Sequence, residues 1–112
     1  MPRNMSFMLT KRQVRAKEKN VTRRRGWWFL KAGDVLWAVE KAQGLKKGEK
    51  IKRICLIRVK STRAEPLNII DQAEVDREGF PEMCPDEFIA MFTRHNRCPP
   101  DETVNRIAFE YL

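Results

Sequence analysis

The chain has 112 residues, 42% of them hydrophobic and 34% charged, a size that supports one domain over residues 1–112 with a single core and leaves no room for two. No apolar run approaches the roughly 20 residues that a membrane-crossing helix needs. The formal net charge of +8 is unevenly spread: residues 1–63 hold 19 Lys and Arg against 4 Asp and Glu, a net of +15, and residues 64–112 hold 4 against 11, a net of −7. Unless the halves neutralise each other across the fold, such a field favours a polyanionic partner, nucleic acid ahead of a membrane.

The first ten residues lack the apolar core and small-residue cleavage site of a secretory signal, so the expected compartment is the cytoplasm. Ser6 to Thr10 suits a first strand. Thr10 with Gln13 three residues on spells a capping box, predicting a helix from Lys11 to about Lys17 with Val14 turned inward. Val21 is β-branched and flanked by polar residues, an extended segment or turn. Leu30 to Asp34 turns into a strand at Val35–Val39. Gln43 to Lys50 is a glycine-bounded basic loop, a hairpin connection. Ile51 to Ser61 is the longest strand, with Arg58 and Lys60 on its outer face.

In the acidic half Pro66 ends that strand. Asp71 and Glu74 form a second capping box, opening a helix to about Glu78 that stops at Gly79. Pro85 at a first-turn position, with Asp86 and Glu87 near the positive end of the dipole, opens a helix to about Asn96 whose Phe88, Ile89, Met91 and Phe92 form an inward stripe. Cys98-Pro99-Pro100 breaks it, and Val104–Tyr111 alternates as a terminal strand with one apolar face. Together these predict an α+β domain, a mostly antiparallel sheet curled into a small barrel with two or three short helices. Cys55, Cys84 and Cys98 contain no CxxC pair and read as reduced thiols. The His95/Cys98 spacing is weak evidence for zinc, and no metal or organic cofactor is suggested.

Glu18 to Trp28 carries the chemistry. Lys19 and Thr22 offer an amine and a hydroxyl, Arg23, Arg24 and Arg25 are guanidiniums suited to phosphates, and Trp27 and Trp28 are flat faces on which a base stacks. The bland alternative is that the arginines are a solvated face and the tryptophans core. On an ideal strand Lys19 and Thr22 face opposite sides, so a joint role requires the backbone to turn between them.

With Lys19-x-x-Thr22-x-Arg24, the Gly33-Asp34 turn, Glu78-Gly79-Phe80 and Arg106-Ile107-x-Phe109 in this order, the chain resembles ASCH domains, small barrels related to the PUA fold and associated with RNA. The resemblance runs over nearly the whole length and is nearest to single-domain bacterial and phage members. Some small ASCH proteins are amidohydrolases that deacetylate N(4)-acetylcytidine with a Lys, a Thr and a Glu, which match Lys19, Thr22 and Glu78 here. Asn20 and Arg23 depart from their pattern, as do the added arginines and the Gln43–Lys50 loop, which bears on substrate choice more than on chemistry.

A threonine hydroxyl needs a base, and a desolvated lysine beside guanidiniums can have its pKa lowered enough to serve. Glu78 would orient that lysine or shuttle a proton, and Arg23, Arg24, Arg25, Trp27 and Trp28 would bind substrate. The competing expectation is a non-catalytic RNA-binding module gripping phosphates through Arg23, Arg24, Arg25, Lys46, Lys47 and Arg58, or an RNA nuclease using the same cleft. The expected partner is thus a modified cytosine nucleoside or RNA.

Overall fold

A computed structural model describes residues 2–112. Its one sheet holds five strands, β1 (Arg3–Ser6), β2 (Val21–Arg24), β3 (Val35–Val39), β4 (Arg53–Pro66) and β5 (Thr103–Tyr111), in the order β1-β3-β4-β5-β2. β1 runs parallel to β3, and the other pairs are antiparallel. Three helices accompany it, α1 (Lys11–Arg15), α2 (Gln72–Arg77) and α3 (Pro85–Asn96). The domain is a small α+β fold whose sheet curls into a half-barrel. The barrel stays open between β1 and β2, and a side chain bridges that gap: Arg24 Nη2 donates to the Ser6 carbonyl at 2.7 Å.

β5 explains why there are two buried clusters. Flanked by β4 and β2, it is buried at every residue from Val104 to Phe109. Ile107 and Phe109 join Met5, Phe7, Val14, Leu36 and Ile57 on one face, whereas Val104 joins Val75, Phe80, Phe88 and Phe92 beneath α2 and α3 on the other. The single apolar face expected for this strand is therefore corrected to two covered faces. Arg106 sits in its middle because the Glu74 carboxylate meets it there.

Several boundaries move for identifiable reasons. The first strand lies at Arg3–Ser6, and the expected Ser6–Thr10 stretch instead leaves the sheet after Phe7 N donates to Val39 O at 2.9 Å, then winds through a 3₁₀ turn at Met8–Thr10. Thr10 makes no side-chain cap bond, so the first capping box is corrected: Gln13 turns inward and donates Nε2 to the Gly79 carbonyl at 3.1 Å. α1 ends at Arg15, followed by Lys17 in the left-handed region. β4 outruns Ile51–Ser61 through a bulge between Val59 and Ser61 and ends, as expected, at Pro66. Asp71 does cap α2, accepting from Glu74 N at 2.9 Å, but the return half of the expected box is replaced: the Glu74 carboxylate is taken by Arg23, Arg106 and Arg77.

Gly79 has φ +100°, and a Cβ there would sit 2.9 Å from Gln13 Cγ and 3.5 Å from Lys19 Cβ. Gly79→Ala is expected to cost roughly 2–3 kcal/mol, from backbone strain plus overpacking. A shift in urea midpoint at constant m-value measures it.

Candidate functional site

Lys19 lies in the connector between α1 and β2, and four bonds tie that connector to the end of α2. Asn20 N donates to Arg77 O at 2.9 Å, Arg77 Nε donates to Asn20 Oδ1 at 2.9 Å, and Lys19 Nζ donates both to the Glu78 carbonyl at 2.8 Å and to Glu78 Oε1 at 2.6 Å. A phenol closes the other side, with Tyr111 OH donating to Lys19 O. Because Lys19 precedes β2, strand alternation does not separate it from Thr22, and both residues line one cavity without a turn between them: the chain turns earlier, at Ala16 and Lys17. Lys19, Thr22 and Glu78 are each 3% exposed and all line one cavity of about 230 Å³. A helix C-terminus disfavours a carboxylate; at Glu78 two cations offset that penalty, Lys19 on Oε1 and Arg23 Nη1 on Oε2 at 3.0 Å.

β2 is an edge strand, and Thr22, Arg23 and Arg24 all line the cavity. Thr22 and Arg24 share one face: Arg24 Nε donates to Thr22 Oγ1 at 3.0 Å, and its guanidinium lies 4.8 Å from the Phe7 ring centroid. The β2–β5 register and the bond from Phe109 N to Asn20 O at 3.0 Å make Thr22 and Arg24 the residues whose backbone bonds with β5. Arg23, between them, therefore turns its N–H and C=O to the free edge.

The Arg23 side chain points the other way, into an ionic cluster under α2. Cross-strand register lines up Arg23, Arg106 and Arg63 on three adjacent strands. Three such neighbours repel one another unless carboxylates intervene, and two do, Glu74 between Arg23 and Arg106 and Glu65 between Arg23 and Arg63. Arg23 Nη2 reaches Glu74 at 2.7 Å and Glu65 at 3.2 Å, Arg106 holds Glu74 bidentately at 2.5 and 3.0 Å, and Arg63 Nε meets Glu65 at 3.1 Å. Among the described residues Arg23 Nε is the one buried side-chain polar atom without a partner.

Burial pulls the Lys19 ammonium below its ordinary value of 10.5; Glu78 opposes this by charge and hydrogen bond, and Arg24 and Arg23 add to the depression. Burial likewise brings Arg24 down to about 10 against the pull of Glu78. The side-chain bond from Arg106, followed by that from Arg23, takes Glu74 down to about 2 despite its desolvation.

Of the expected substrate contacts, Arg23 and Arg24 line the cavity, whereas Arg25, Trp27 and Trp28 do not. Arg23 is occupied by three glutamates and has no free face for a phosphate. Arg25 stands outside the cavity, donating to Glu102 and to Asn96 O. Trp27, with φ +62°, packs against the larger core cluster, and Trp28 is 53% exposed away from the cavity lining. The aromatic walls are instead Phe7, Phe80, Phe88 and Phe92, with Met91, His95 and Asn96 completing the α3 side. The spacing of Phe88 and Phe92 showed a helix face turned inward, but core and pocket wall produce the same stripe. Cys55 is half-buried, and burial raises its thiol pKa. Among the described residues no group of three or more His, Cys, Asp or Glu is arranged to hold a metal, and no helix is long and apolar enough to cross a membrane.

No family model matches the chain, and no curated protein does. Among solved structures it is similar to the crystal structure of protein EF3133 from Enterococcus faecalis V583, of the family model DUF984, with a TM-score of 0.68 and 16% identity over 100% of this chain and 80% of that one. A likeness at that identity is one of fold: the curled half-barrel with its few short helices is shared.

Proposed function

We propose that this chain is an amidohydrolase with an ASCH-like, PUA-related domain, removing the acyl group from N(4)-acylated cytosine nucleosides such as N(4)-acetylcytidine. The observation that carries the reading is the buried Lys19–Glu78 pair at 2.6 Å, in the wall of a cavity that also takes Thr22 and four phenylalanines. The cavity, at about 230 Å³, falls below the roughly 300–1,000 Å³ of sites for drug-sized ligands, and its size and apolar walls suit one base with a small acyl group.

Lys19 in its neutral form takes the Thr22 proton as Oγ1 attacks the acyl carbonyl. The C–N4 bond then breaks as Lys19 returns the proton to the departing cytosine amine, leaving an acyl-threonine ester. Water deprotonated by the same amine cleaves the ester, releasing the carboxylic acid and restoring Thr22. The Arg24 Nε–H aimed at Oγ1 favours negative charge on the attacking oxygen. Arg24 Nη1, without a partner among the described residues, and the Arg23 amide on the open strand edge supply donors for the oxyanion. With both oxygens engaged by cations, Glu78 serves as the group that orients Lys19.

Purified protein is expected to release cytidine and acetate from N(4)-acetylcytidine at a rate that rises with pH through a value below 10.5 as Lys19 loses its proton. Lys19→Arg is expected to remove that limb. Absence of cytidine release from about pH 6 to 10 overturns the reading. The competing RNA-binding module draws on the +15 half of the chain, but Arg23, Arg24 and Arg25 are engaged within the protein and Arg58 pairs with Glu110 at 3.5 Å, which leaves Lys46 and Lys47 as its exposed phosphate contacts outside any ion pair among the described residues.

A further inference from the structure

The ridge formed by the 3₁₀ turn at Met8–Thr10 has a second depression beyond it. Met8, Leu9 and Thr10 line the catalytic cavity, and Met8 also lines the neighbouring depression, together with Lys11, Lys41, Lys50 and Lys52 from α1 and the β3–β4 connection. Two carboxylates, Glu40 and Glu49, share that wall, and both are already occupied. Arg15 pairs with Glu40; Lys41 lies 3.8 Å from Glu49, whose Oε1 also accepts from the Lys46 amide at 2.8 Å. Lys11, Lys50 and Lys52 have no ion-pair partner among the described residues, and all three are exposed. Met8 and Leu9 on the ridge are 44% and 50% exposed, an apolar saddle between the two hollows.

The cavity and the depression differ in chemistry. The cavity presents phenylalanine walls and internally paired charges, suited to a neutral base, and it has room for one. The depression presents ammonium groups outside ion-pair distance of any carboxylate among the described residues, with the Glu40 charge reaching Lys11 and Lys52, and such point charges hold phosphate without demanding a fixed geometry. Whatever extends from a base seated in the cavity over Met8 therefore arrives among cations.

We infer that the Lys11, Lys50 and Lys52 depression is a phosphate subsite continuous with the cavity, so that the cytosine acted upon is carried on a phosphorylated sugar. The inference rests on the cavity being the nucleoside site proposed above. Two sources share this chemistry, a phosphate on the nucleotide itself and the flanking backbone of a single-stranded oligonucleotide.

The test compares native protein with Lys11→Gln/Lys50→Gln/Lys52→Gln, using N(4)-acetylcytidine, its 5′-monophosphate and a short single-stranded RNA with one N(4)-acetylcytosine, each followed for both binding and deacylation. For the RNA, whose backbone phosphates meet the three lysines, the logarithm of affinity falls with the logarithm of salt at a slope of about −2, on the order of tenfold between 50 and 200 mM. The triple variant is expected to flatten that slope and lose tenfold or more of low-salt affinity for the phosphorylated ligands, with nucleoside binding unchanged. Loss on the monophosphate assigns the subsite to the nucleotide's own phosphate; loss confined to the RNA assigns it to the flanking backbone. Equal affinity of variant and native protein for both phosphorylated ligands overturns the subsite, even if the nucleoside is deacylated. Lysine-dependent binding without deacylation of any of the three removes the chemistry proposed for the cavity and leaves the subsite standing.

Discussion

Thr22→Ala is expected to lower kcat/KM for N(4)-acetylcytidine by about 10³-fold or more, the loss produced by removing a covalent nucleophile while the binding walls remain. Thr22→Ser, which keeps the oxygen, is expected to stay within about tenfold of native. The fold should survive both changes. The hydroxyl of Thr22 accepts one side-chain bond, from Arg24 Nε, so the alanine variant leaves one donor unpaired at about 1–2 kcal/mol, a few degrees in melting temperature. The control is Arg24→Met, which removes the donor and keeps the hydroxyl. If alanine at position 22 were inactive only because Arg24 is released, methionine at position 24 would be equally inactive with Thr22 intact. If Thr22 is the nucleophile, Arg24→Met turns over more slowly but through the same acyl-enzyme, and rapid acid quench under single-turnover conditions shows a mass increase of one acetyl group that Thr22→Ala lacks.

The parts of this site visible in the sequence were those set by local rules. Asp71 with Glu74 three residues on, and Gly79 after the last helical turn, place Glu78 at a helix end whatever the rest of the fold does. Pro85, Asp86 and Glu87 do the same for the start of α3. The same logic failed at Thr10 and Gln13, where the pattern is identical to a capping box but a contact 66 residues away, with the Gly79 carbonyl, takes the glutamine. Long-range pairing also decided what the arginines do. Arg23, Arg24 and Arg25 are one run in the sequence, yet strand alternation and the edge position of β2 send Arg24 to the Thr22 hydroxyl and Arg23 to three glutamates, while Arg25, beyond the strand's end, goes to Glu102 and Asn96. Only the register of β2 against β5 and of β5 against β4 reveals that Arg23, Arg106 and Arg63 are neighbours. Trp27 and Trp28 misled because composition identifies an aromatic face but not the direction it points, and the left-handed φ of Trp27 carries that residue toward the core.

Glu74→Gln is expected to be the most destabilising single change outside the cavity, about 3–5 kcal/mol, since it leaves Arg23 and Arg106 directly opposite each other across β2 and β5 with their shared counter-ion gone. For a domain of this size that corresponds to a fall in melting temperature of roughly 15 °C or more. The same residue fixes the sign of an acid transition. Glu74 is held at about 2 in the folded chain against an ordinary 4.5, so between those values the unfolded chain binds more protons than the native one. Its contribution is therefore complete above the ordinary value and is lost as pH falls toward 2. The depression corresponds to about 3 kcal/mol, reduced to about 2 kcal/mol by solvent reaching a side chain that is 18% exposed. Urea unfolding of the native protein between about pH 6 and 3 should show this decline, and Glu74→Gln should be less stable throughout but flatter across the same interval. A variant whose stability falls with pH as steeply as the native protein's would place the acid-sensitive charge elsewhere in the cluster. Because Glu74 does not line the cavity, the folded fraction of Glu74→Gln is expected to keep kcat within about tenfold of native, which separates the charges that hold α2 on the sheet from those that act on substrate.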